Sequence, residues 1–503
     1  MQDITTDVVV VGGGGTGLAA AIEAAQAGAR TLLIEKNPTL GGTTGWSVGS
    51  ITSSATAEQR AVGITDTPQE HFDDMPRFHG RHAGRDNEAL RRLLVENTPD
   101  TMRWLRELGL VFVDPMPEPP HQKPRLHNVL PNSRAFVFHL ERRARALGVE
   151  IRCATAAVRL LRDGGRVGGV EATGPGGALR ATARRGVVLA AGDYSASRDL
   201  KAQLVSDAVA AVEPFNPAST GDGHRMALEA GARILNGDIV WGPEIRFVPP
   251  TARPWVQRLP PSTLLARMMR IGMKVAPPAL LRPFLMSFLT TALAPSANLF
   301  AKGAIMVNAR GERFAEELDA PAPALARQPD GVGYIILDAT VARQFGAWPN
   351  FISTAPGVAY AYLDDYRRNR RDVFREAPTL DALASSLGIE PARLRQTVET
   401  HNAALSSGAG RATSNQPPRP PIATAPFIAL GPARSYIMFT DGGLAVSERL
   451  EVLDGAGQPI PGLFAGGSTG QGGLLLEGHG HHLGWAFTSG RIAGRNAAAS
   501  APA

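Results

Sequence analysis

Residues 7–35 have the sequence DVVVVGGGGTGLAAAIEAAQAGARTLLIE. The run of four valines predicts a strand buried on both faces, and the alanine-rich stretch after the glycines predicts a helix. A second apolar run at 31–34 predicts the next strand. A glycine-rich turn between a strand and a helix is the fingerprint of a dinucleotide-binding βαβ unit. The stretch therefore predicts a Rossmann-like α/β domain that binds a dinucleotide.

The glycines and the acid of this unit have separate expected roles. Gly12 allows the tight turn, Gly14 lets the backbone approach a pyrophosphate, and Gly17 lets the helix pack closely on the strand. The free N–H groups at the start of the helix attract phosphates. Glu35 is expected to accept hydrogen bonds from ribose hydroxyls. The predicted cofactor contacts in this unit are Gly12, Gly14, Gly15, Thr16, Gly17, Glu35 and Lys36.

The composition excludes several classes of protein. The chain has 503 residues, of which 44% are hydrophobic and 19% are charged, as in globular rather than disordered proteins. A single cysteine, Cys153, excludes an intramolecular disulfide, a cysteine-rich zinc site, a protein-bound iron–sulfur cluster and a c-type haem. The first residues lack the basic stretch of a signal peptide. We expect a reducing, cytoplasmic setting.

The formal net charge of +6 is concentrated in one region. Nine basic residues and no acidic one lie between Glu244 and Glu312, and without those nine the chain would be slightly acidic. No nucleic-acid-binding motif accompanies them, so we expect no nucleic-acid partner.

Residues 263–300, TLLARMMRIGMKVAPPALLRPFLMSFLTTALAPSANLF, form a basic and apolar insertion. Prolines interrupt it, and no uncharged apolar run reaches the ~18 residues of a membrane span. Its two short amphipathic pieces suit contact with an anionic membrane surface, which would place the protein peripherally on the inner membrane. A helical hairpin packed on the protein, or a dimer contact, is the alternative.

Other local patterns predict individual elements. Residues 87–110 have the spacing of an amphipathic helix that ends at a glycine. Residues 149–152 and 166–170 are predicted strands on either side of a Gly-Gly turn. The polar, proline-rich stretch 407–421 predicts a surface loop.

Further motifs occur in order along the whole chain. They are LGGTTGWS at 40–47, VVLAAGD at 187–193, GAIMVNARGERFAEE at 303–317, TDGGL at 440–444, PIPGLFAGG at 459–467 and GRIAG at 490–494. With these segments the chain resembles the superfamily of FAD enzymes that contains fumarate reductases, succinate dehydrogenase flavoproteins and 3-ketosteroid dehydrogenases.

The resemblance implies a Rossmann-like FAD-binding domain of the GR2 type with an inserted α+β cap domain. The implied boundaries are 1–237 and 433–503 for the FAD-binding domain and 238–432 for the cap, which carries the insertion 263–300. FAD is expected to be non-covalent, since no histidine adjoins the GGTT segment in the way that covalently flavinylated relatives show. The further implied FAD contacts are Gly42, Thr43, Thr44, Ser47, Val158, Ala191, Gly192, Asp193, Gly467, Ser468 and Gly484.

The residues expected to face the substrate differ from those of the relatives. Fumarate reductases hold two carboxylates with arginines, but no arginine follows the 313–317 segment here, and Phe439 replaces the histidine before the TxGG motif. Because of these differences, we do not expect fumarate or succinate to be substrates. The ketosteroid dehydrogenase pattern aligns with 476–480, where the Gly480 N–H would bind a substrate carbonyl oxygen. Leu476, however, replaces the tyrosine of that pattern.

The hexapeptide EGHGHH at 477–482 carries four ionisable side chains beside the expected flavin position. Such groups remove or donate protons in this chemistry. The candidate catalytic residues are His479, His481, His482, Glu477, Tyr436 and Gly480. A histidine cluster can also bind a metal, but the resemblance implies none. For any single histidine, a structural hydrogen bond is the plainer interpretation.

The leading hypothesis is an FAD-dependent CH–CH oxidoreductase that desaturates an apolar carbonyl compound, such as a cyclic ketone or a steroid-like molecule. A base would remove the α-proton while the β-hydrogen leaves as hydride to flavin N5. The alternatives are reduction of an enoate or enone, and a membrane-associated flavin module that only transfers electrons. A separate quinone, oxygen or carrier is expected to exchange electrons with the flavin, since the chain lacks haem and cluster ligands.

Overall fold

The computed structural model describes residues 2–251, 255–291, 293–355, 359–407 and 419–502. Most of the predicted surface loop at 407–421 lies outside these ranges. The strands are β1 (Gln2–Val11), β2 (Thr31–Ile34), β3 (Ser50–Thr52), β4 (Val111–Phe112), β5 (Leu126–Leu130), β6 (Glu150–Arg152), β7 (Ala156–Asp163), β8 (Arg166–Gly174), β9 (Gly177–Leu189), β10 (Glu213–Pro214), β11 (Ile234–Leu235), β12 (Val240–Trp241), β13 (Glu244–Phe247), β14 (Ala294–Pro295), β15 (Ile305–Asn308), β16 (Gly333–Asp338), β17 (Ser353–Ala355), β18 (Ala359–Ala361), β19 (Phe374–Ala377), β20 (Phe427–Ile437), β21 (Phe439–Thr440), β22 (Gly443–Leu444), β23 (Glu451–Leu453) and β24 (Pro459–Ala465).

The α-helices vary from single turns to five turns in length. They are α1 (Gly15–Gln26), α2 (Ala57–Ala61), α3 (Pro68–Asp74), α4 (Glu88–Glu107), α5 (Arg134–Ala146), α6 (Arg198–Leu204), α7 (Asp207–Ala210), α8 (Asp222–Glu229), α9 (Thr263–Val275), α10 (Pro278–Leu289), α11 (Asn298–Ala301), α12 (Pro321–Ala326), α13 (Ala339–Ala342), α14 (Leu363–Asn369), α15 (Leu380–Leu387), α16 (Pro391–Ser406) and α17 (His481–Ala499). Short 3₁₀ turns occur at Gly42–Trp46, Met75–Phe78, Gly80–Arg85, Trp255–Arg258, Pro329–Gly331 and Arg343–Gly346.

The largest sheet in the described part of the chain contains the predicted βαβ unit. Its strands follow the order β23-β24-β9-β1-β2-β6, and the β7–β8 hairpin is attached to β9. Val8 to Val11 of β1 pair in parallel with Thr31 to Ile34 of β2, and the four valines are buried. Because parallel strands buried on both faces need apolar side chains throughout, the valine run fits this central position. The Rossmann-like fold is confirmed.

Helices α1 and α17 cross at close range on one face of this sheet. A Cβ at Gly490 would lie 2.4 Å from the Thr16 carbonyl oxygen, and a Cβ at Gly494 would lie 2.2 Å from that of Ala20. Such approaches are open only to glycine. The GRIAG motif therefore fixes the C-terminal helix against the helix that starts at the dinucleotide turn.

The cap is built on a second, largely antiparallel sheet. Its strand path is β10-β20-β16-β15, with β13 and β19 also paired to β20. Buried apolar side chains of β15, β16 and β20 form its core. The long strand β20 runs from 427 to 437, across the predicted boundary between 432 and 433. The domain limits therefore stay a prediction.

Two local predictions are refined. The helix predicted over 87–110 is α4, Glu88–Glu107, and it begins at Asn87, whose side chain accepts a hydrogen bond from Leu90 N. The Gly164-Gly165 turn joins β7 to β8, not β6 to β8, because β6 pairs in parallel with β2 instead.

The basic insertion forms the helices α9 and α10. Ala266, Met269 and Met273 on one side of α9 pack on Val111, Val113 and Leu130 of the FAD-binding domain. Thr263 Oγ1 also donates to the Gly109 carbonyl, at 2.7 Å. Among the helices in the described part of the chain, none is both long enough and apolar enough to cross a bilayer.

Candidate active site

A cavity of about 1110 Å³ extends from the large sheet to the cap. At one end it is lined by the last residues of β1 and β2 and by the loop after β9. These parallel strands finish at one edge of the sheet, where α/β folds place their ligands. At the other end it is lined by β5, β12, α9 and α10.

The glycine-rich turn leaves room for a pyrophosphate. A Cβ at Gly12, where φ is 108°, would lie 2.2 Å from the Ala190 carbonyl oxygen, so only glycine fits. A Cβ at Gly14 would have nothing nearer than the Gly41 carbonyl oxygen at 3.9 Å, which leaves open space above the turn. Helix α1 begins at Gly15 without a side-chain cap. Its first N–H groups therefore suit an anionic ligand.

Glu35 is held rigidly at the cavity wall. Its Oε2 accepts a hydrogen bond from Gly13 N at 2.6 Å, and its Oε1 accepts from the backbone and side-chain nitrogens of Asn37, both at 2.7 Å. The carboxylate is buried. Its neighbour Lys36 forms an ion pair with Asp222 at 2.7 Å. This arrangement fits the predicted role of Glu35 towards ribose hydroxyls.

The GGTT segment lies directly against the first glycine turn. Gly15 N donates to Thr44 Oγ1 at 3.1 Å, and Asn216 Nδ2 donates to Thr43 Oγ1 at 2.8 Å. Ser47 Oγ donates to the Thr44 carbonyl at 2.8 Å. The two FAD motifs, distant from each other in sequence, thus form one wall.

The structure places most of the predicted cofactor contacts on the cavity wall. They are Gly12, Gly14, Gly15, Thr16, Glu35, Lys36, Gly42, Thr43, Thr44, Ser47, Ala191, Gly192, Asp193 and Ser468. Gly17, Val158, Gly467 and Gly484 lie off this wall. Gly17 has a packing position, because a Cβ there would lie 1.8 Å from the Gly12 carbonyl oxygen. Val158 is exposed, and its neighbour Ala157 lines the cavity instead.

The hexapeptide at 477–482 turns sharply into α17. Gly480 has φ of 85°, and a Cβ there would lie 2.6 Å from Thr52 N. Helix α17 begins at the next residue, His481, without a side-chain cap. Its positive end therefore faces the cavity, where it stabilises negative charge on a bound group.

His479 forms a dyad with Glu118. The imidazole Nδ1 lies 2.5 Å from Glu118 Oε1, and the backbone N–H of His479 donates to the same oxygen at 2.7 Å. Glu118 is buried, whereas the His479 side chain extends into the cavity and is 46% exposed. The carboxylate orients the ring and leaves Nε2 for a ligand.

His482 forms a second dyad with Asp441. His482 Nε2 lies 3.0 Å from Asp441 Oδ1, which also accepts a hydrogen bond from Gln471 at 3.0 Å. The other oxygen, Asp441 Oδ2, accepts from the indole N–H of Trp241 at 3.1 Å. Asp441 is completely buried, and the His482 ring packs 4.3 Å from that of Phe439. The histidines of both dyads thus line the same cavity, and they lie on either side of Gly480 in the sequence.

His481 points away from the cavity and joins a buried cluster with His71 and His121. Its Nδ1 lies 2.7 Å from the Glu477 carbonyl, so its Nε2 accepts the hydrogen bond from His71 Nε2 at 3.2 Å. Burial lowers the pKa of His71 well below its usual value, that of His121 to about 2 and that of His481 to about 4.

One ring nitrogen from each of the three histidines lies within 4.8 Å of the other two, as the ligands of a metal ion do. Arg125 donates to His121 Nδ1 at 3.1 Å, which places the proton of that ring on Nε2. The Nδ1 lone pair of His121 is therefore already engaged by Arg125.

Glu477 and Tyr436 also lie off the cavity wall. Glu477 faces His82, with Oε1 3.2 Å from Nδ1, and burial raises the pKa of its carboxyl group. Tyr436 is buried in β20, and burial raises the pKa of its hydroxyl. Of the six candidate catalytic residues, the structure brings His479, Gly480 and His482 to the cavity.

The cap end of the cavity is an apolar chamber. Its wall combines side chains from β5, β12, α9, α10 and the β20–β21 junction, namely Leu126, Leu130, Trp241, Met273, Met286, Leu289, Met438 and Phe439. The arginines on the wall are Arg246, which pairs with Glu244 at 2.9 Å, and Arg282, which pairs with Asp365 at 2.5 Å. Each arginine therefore already has a carboxylate partner.

Comparison with known proteins agrees with this geometry. A protein-family model for the FAD binding domain matches residues 7–258 and 271–475. The chain belongs to this family. Among its FAD binding domain relatives is the urocanate reductase of Eggerthella lenta, 28% identical over 99% of this chain and 76% of that protein.

Two solved structures of the same fold cover almost the whole chain. An open flavocytochrome c3 fumarate reductase is 26% identical over 98% of this chain and 78% of that chain, with a TM-score of 0.73. The 3-ketosteroid-Δ4-(5α)-dehydrogenase of Rhodococcus jostii RHA1, in complex with 4-androstene-3,17-dione, is 25% identical over 99% and 98%, with a TM-score of 0.60. This FAD binding domain protein is thus a flavin-dependent oxidoreductase acting on CH–CH bonds, and its cofactor is FAD.

Sequence reasoning missed the carboxylates of both dyads. Asp441 lies in the TDGGL motif, which was matched to the family without a role for its acid. Glu118 lies in the proline-rich segment PMPEPPH, which has no helical or strand periodicity. For Glu118, the sequence signal was a single acidic residue between prolines.

Proposed function

We propose that this enzyme desaturates an apolar carbonyl compound, of the size and character of a cyclic ketone or a steroid-like molecule. The observation that carries the proposal is an apolar chamber that meets two histidine–carboxylate dyads at the predicted flavin end of one cavity. Chambers that are mostly apolar, with a few convergent polar groups, are typical of sites for small apolar ligands.

The charges on the wall support an uncharged substrate. A dicarboxylate needs arginines that can turn towards it, but Arg246 and Arg282 are each paired with an acid of the protein. Turning either arginine towards a substrate would break its existing ion pair, which opposes that rearrangement. A ketone oxygen needs only hydrogen-bond donors.

His479 and His482 are the proposed proton acceptors for the carbon next to the carbonyl. Each is oriented by a buried carboxylate, which also stabilises the imidazolium that forms when a proton is taken. The Gly480 backbone and the start of α17 would stabilise negative charge on the carbonyl oxygen. Bound FAD supplies the hydride acceptor.

The reverse reaction is the second candidate. It is favoured by the similarity to urocanate reductase and to a fumarate reductase, whose names describe reduction. In that direction, the same histidines would donate a proton to an enone while hydride leaves reduced FAD. In both directions we propose that a separate quinone, oxygen or carrier exchanges electrons with the enzyme.

Anaerobic mixing tests both directions. Oxidised enzyme is mixed with saturated cyclic and steroidal ketones, and enzyme reduced with dithionite is mixed with the matching enones, while flavin absorbance is followed. Bleaching by ketones supports desaturation, and recovery of absorbance with enones supports reduction. If neither occurs but fumarate or another dicarboxylate reoxidises the flavin, the apolar substrate class is wrong.

A further inference from the structure

The outer face of α9 carries a stripe of exposed apolar side chains, Leu264, Met268, Ile271 and Val275, which are 62% to 77% exposed. Their spacing places them along one side of the helix. Leu280, at the start of α10, continues the patch and is 72% exposed. Five of the ten exposed large hydrophobic side chains in the described part of the chain thus lie between 264 and 280. A continuous apolar patch of this kind marks an interaction surface.

Basic side chains flank this stripe. Arg267 is exposed, and Arg270 and Lys274 share Asp114 as their carboxylate partner, at 3.1 and 3.2 Å. Asp114 comes from outside the insertion, and the sequence has no acidic residue between 244 and 312, so one carboxylate faces three basic side chains here. The α9 surface therefore combines apolar side chains with positive charge.

Other side chains of α9 and α10 line the apolar chamber. Met273 of α9 and Met286 and Leu289 of α10 are on the cavity wall. These two helices, the α9–α10 partition, thus carry both chamber-lining side chains and the exposed patch. The partition is joined to the FAD-binding domain through Ala266, which packs on Val113 and Leu130.

We propose that the α9 stripe rests in the interfacial layer of an anionic lipid bilayer, and that the enzyme takes its apolar substrate from that bilayer through the α9–α10 partition. The second part rests on the proposed function. Apolar side chains would enter the boundary between head groups and acyl chains, and Arg267, Arg270 and Lys274 would meet lipid phosphates. A molecule poorly soluble in water would then reach the chamber without crossing the aqueous phase.

Charge complementarity favours a bilayer over a second copy of this chain. In a symmetric dimer through α9, the same patch would face itself, so the basic side chains of both copies would be brought together. Like charges brought together across an interface oppose association. An anionic lipid surface supplies the opposite charge.

Vesicle flotation of the FAD-loaded enzyme tests the docking surface. The protein is mixed with vesicles of phosphatidylcholine alone or with phosphatidylglycerol, at low and at high salt. Binding to the anionic vesicles is expected, with a loss at high salt because exposed charges are screened. The double variant M268E/I271E should bind at least about tenfold more weakly.

Val62→Glu is the matched control, because Val62 is exposed but lies far from α9 in sequence. It should float like the wild type. The proposal is overturned if wild-type enzyme stays unbound on anionic vesicles, or if M268E/I271E floats as well as V62E. A concentration-dependent dimer that M268E/I271E abolishes, without vesicle binding, would instead assign the stripe to a second copy.

A transfer measurement tests the second part. Flavin bleaching is followed with a water-soluble ketone and with a steroidal ketone embedded in the vesicles. M268E/I271E should bleach its flavin at the wild-type rate with the soluble ketone. With the embedded ketone, its bleaching rate should be at least about tenfold lower than that of the wild type. Equal rates of M268E/I271E and wild type on the embedded ketone would overturn transfer from the bilayer. If no ketone bleaches the flavin while flotation succeeds, the proposed function fails and the docking surface stands.

Discussion

His479 Nδ1 lies 2.5 Å from Oε1 of Glu118, a residue 361 positions away in the chain. The same oxygen also accepts the backbone N–H of His479. One buried carboxylate thus fixes both the ring and the backbone of a residue that lines the cavity. A histidine held in this way has one defined nitrogen available for proton transfer.

Replacing Glu118 with Gln should slow flavin reduction by about 10- to 100-fold, because the neutral amide no longer stabilises an imidazolium at His479. Stopped-flow absorbance with a bleaching ketone measures the rate. Glu317→Gln is the control, since Glu317 is an equally buried carboxylate that pairs with Arg313 in the cap. Equal rates of flavin reduction in wild type and E118Q would contradict the proposed role of His479 as a proton acceptor.

Asp441→Asn should slow the same step by about 100-fold, since His482 loses its carboxylate. The indole of Trp241 also loses a charged acceptor, so Trp fluorescence should change in the same variant. His482→Gln provides the comparison, since it should slow flavin reduction by a similar factor if Asp441 acts through His482. If D441N and H482Q differ widely in rate, Asp441 acts through Trp241 or Gln471 rather than through His482.

Gly480→Ala should displace the loop that ends at α17, because the new Cβ would lie 2.6 Å from Thr52 N. Flavin reduction should fall by about 100-fold or more, in line with the loss of an oriented donor to the carbonyl oxygen. Gly63→Ala is a matched control, since Gly63 also has positive φ, 77°, but open space around it. G63A should lose about 1 kcal/mol of stability and no activity. An active G480A enzyme would contradict the role of this backbone.

Glu35→Ala should weaken FAD binding by about 10- to 100-fold, because Gly13 N loses its acceptor and the ribose loses its partner. Quenching of flavin fluorescence on titration of apoprotein measures the dissociation constant. Asp163→Ala, on the β7–β8 hairpin, should leave that constant unchanged. An unaltered constant in E35A would place the ribose elsewhere.

The buried histidine cluster predicts a loss of stability in acid. Burial lowers the pKa of His121 to about 2 and that of His481 to about 4, so both stay neutral in the folded protein while they gain protons on unfolding below about pH 6.5. The contribution of these two histidines to the free energy of unfolding is therefore complete above about pH 6.5, and it falls as the pH drops towards 4, by about 1.4 kcal/mol per pH unit for each histidine.

Urea unfolding between pH 7.5 and 4.5 measures this dependence. In His481→Gln the fall between pH 6 and 5 should be smaller by about 1.4 kcal/mol, because one titrating group is absent. The exposed residue Arg60 offers a control as Arg60→Gln. The same pH slope in H481Q and wild type would show that His481 is already protonated in the fold.

The sequence by itself was sufficient to predict the dinucleotide-binding domain. Residues 7–35 are contiguous, and their strand, glycine turn, helix and acid are set by local geometry that any such stretch must adopt. The Gly490 and Gly494 positions were likewise visible as a motif, and the structure supplies their reason in the crossing of α1 and α17.

Only the tertiary structure decided which groups of the hexapeptide meet in the cavity. Helix α17 begins at His481, and successive side chains on a helix point about 100° apart, so His481 joins the buried cluster while His482 lines the cavity. The partners Glu118 and Asp441 come from segments far away in sequence. Such pairings depend on how distant segments of the FAD-binding domain pack together, which no local pattern of residues records.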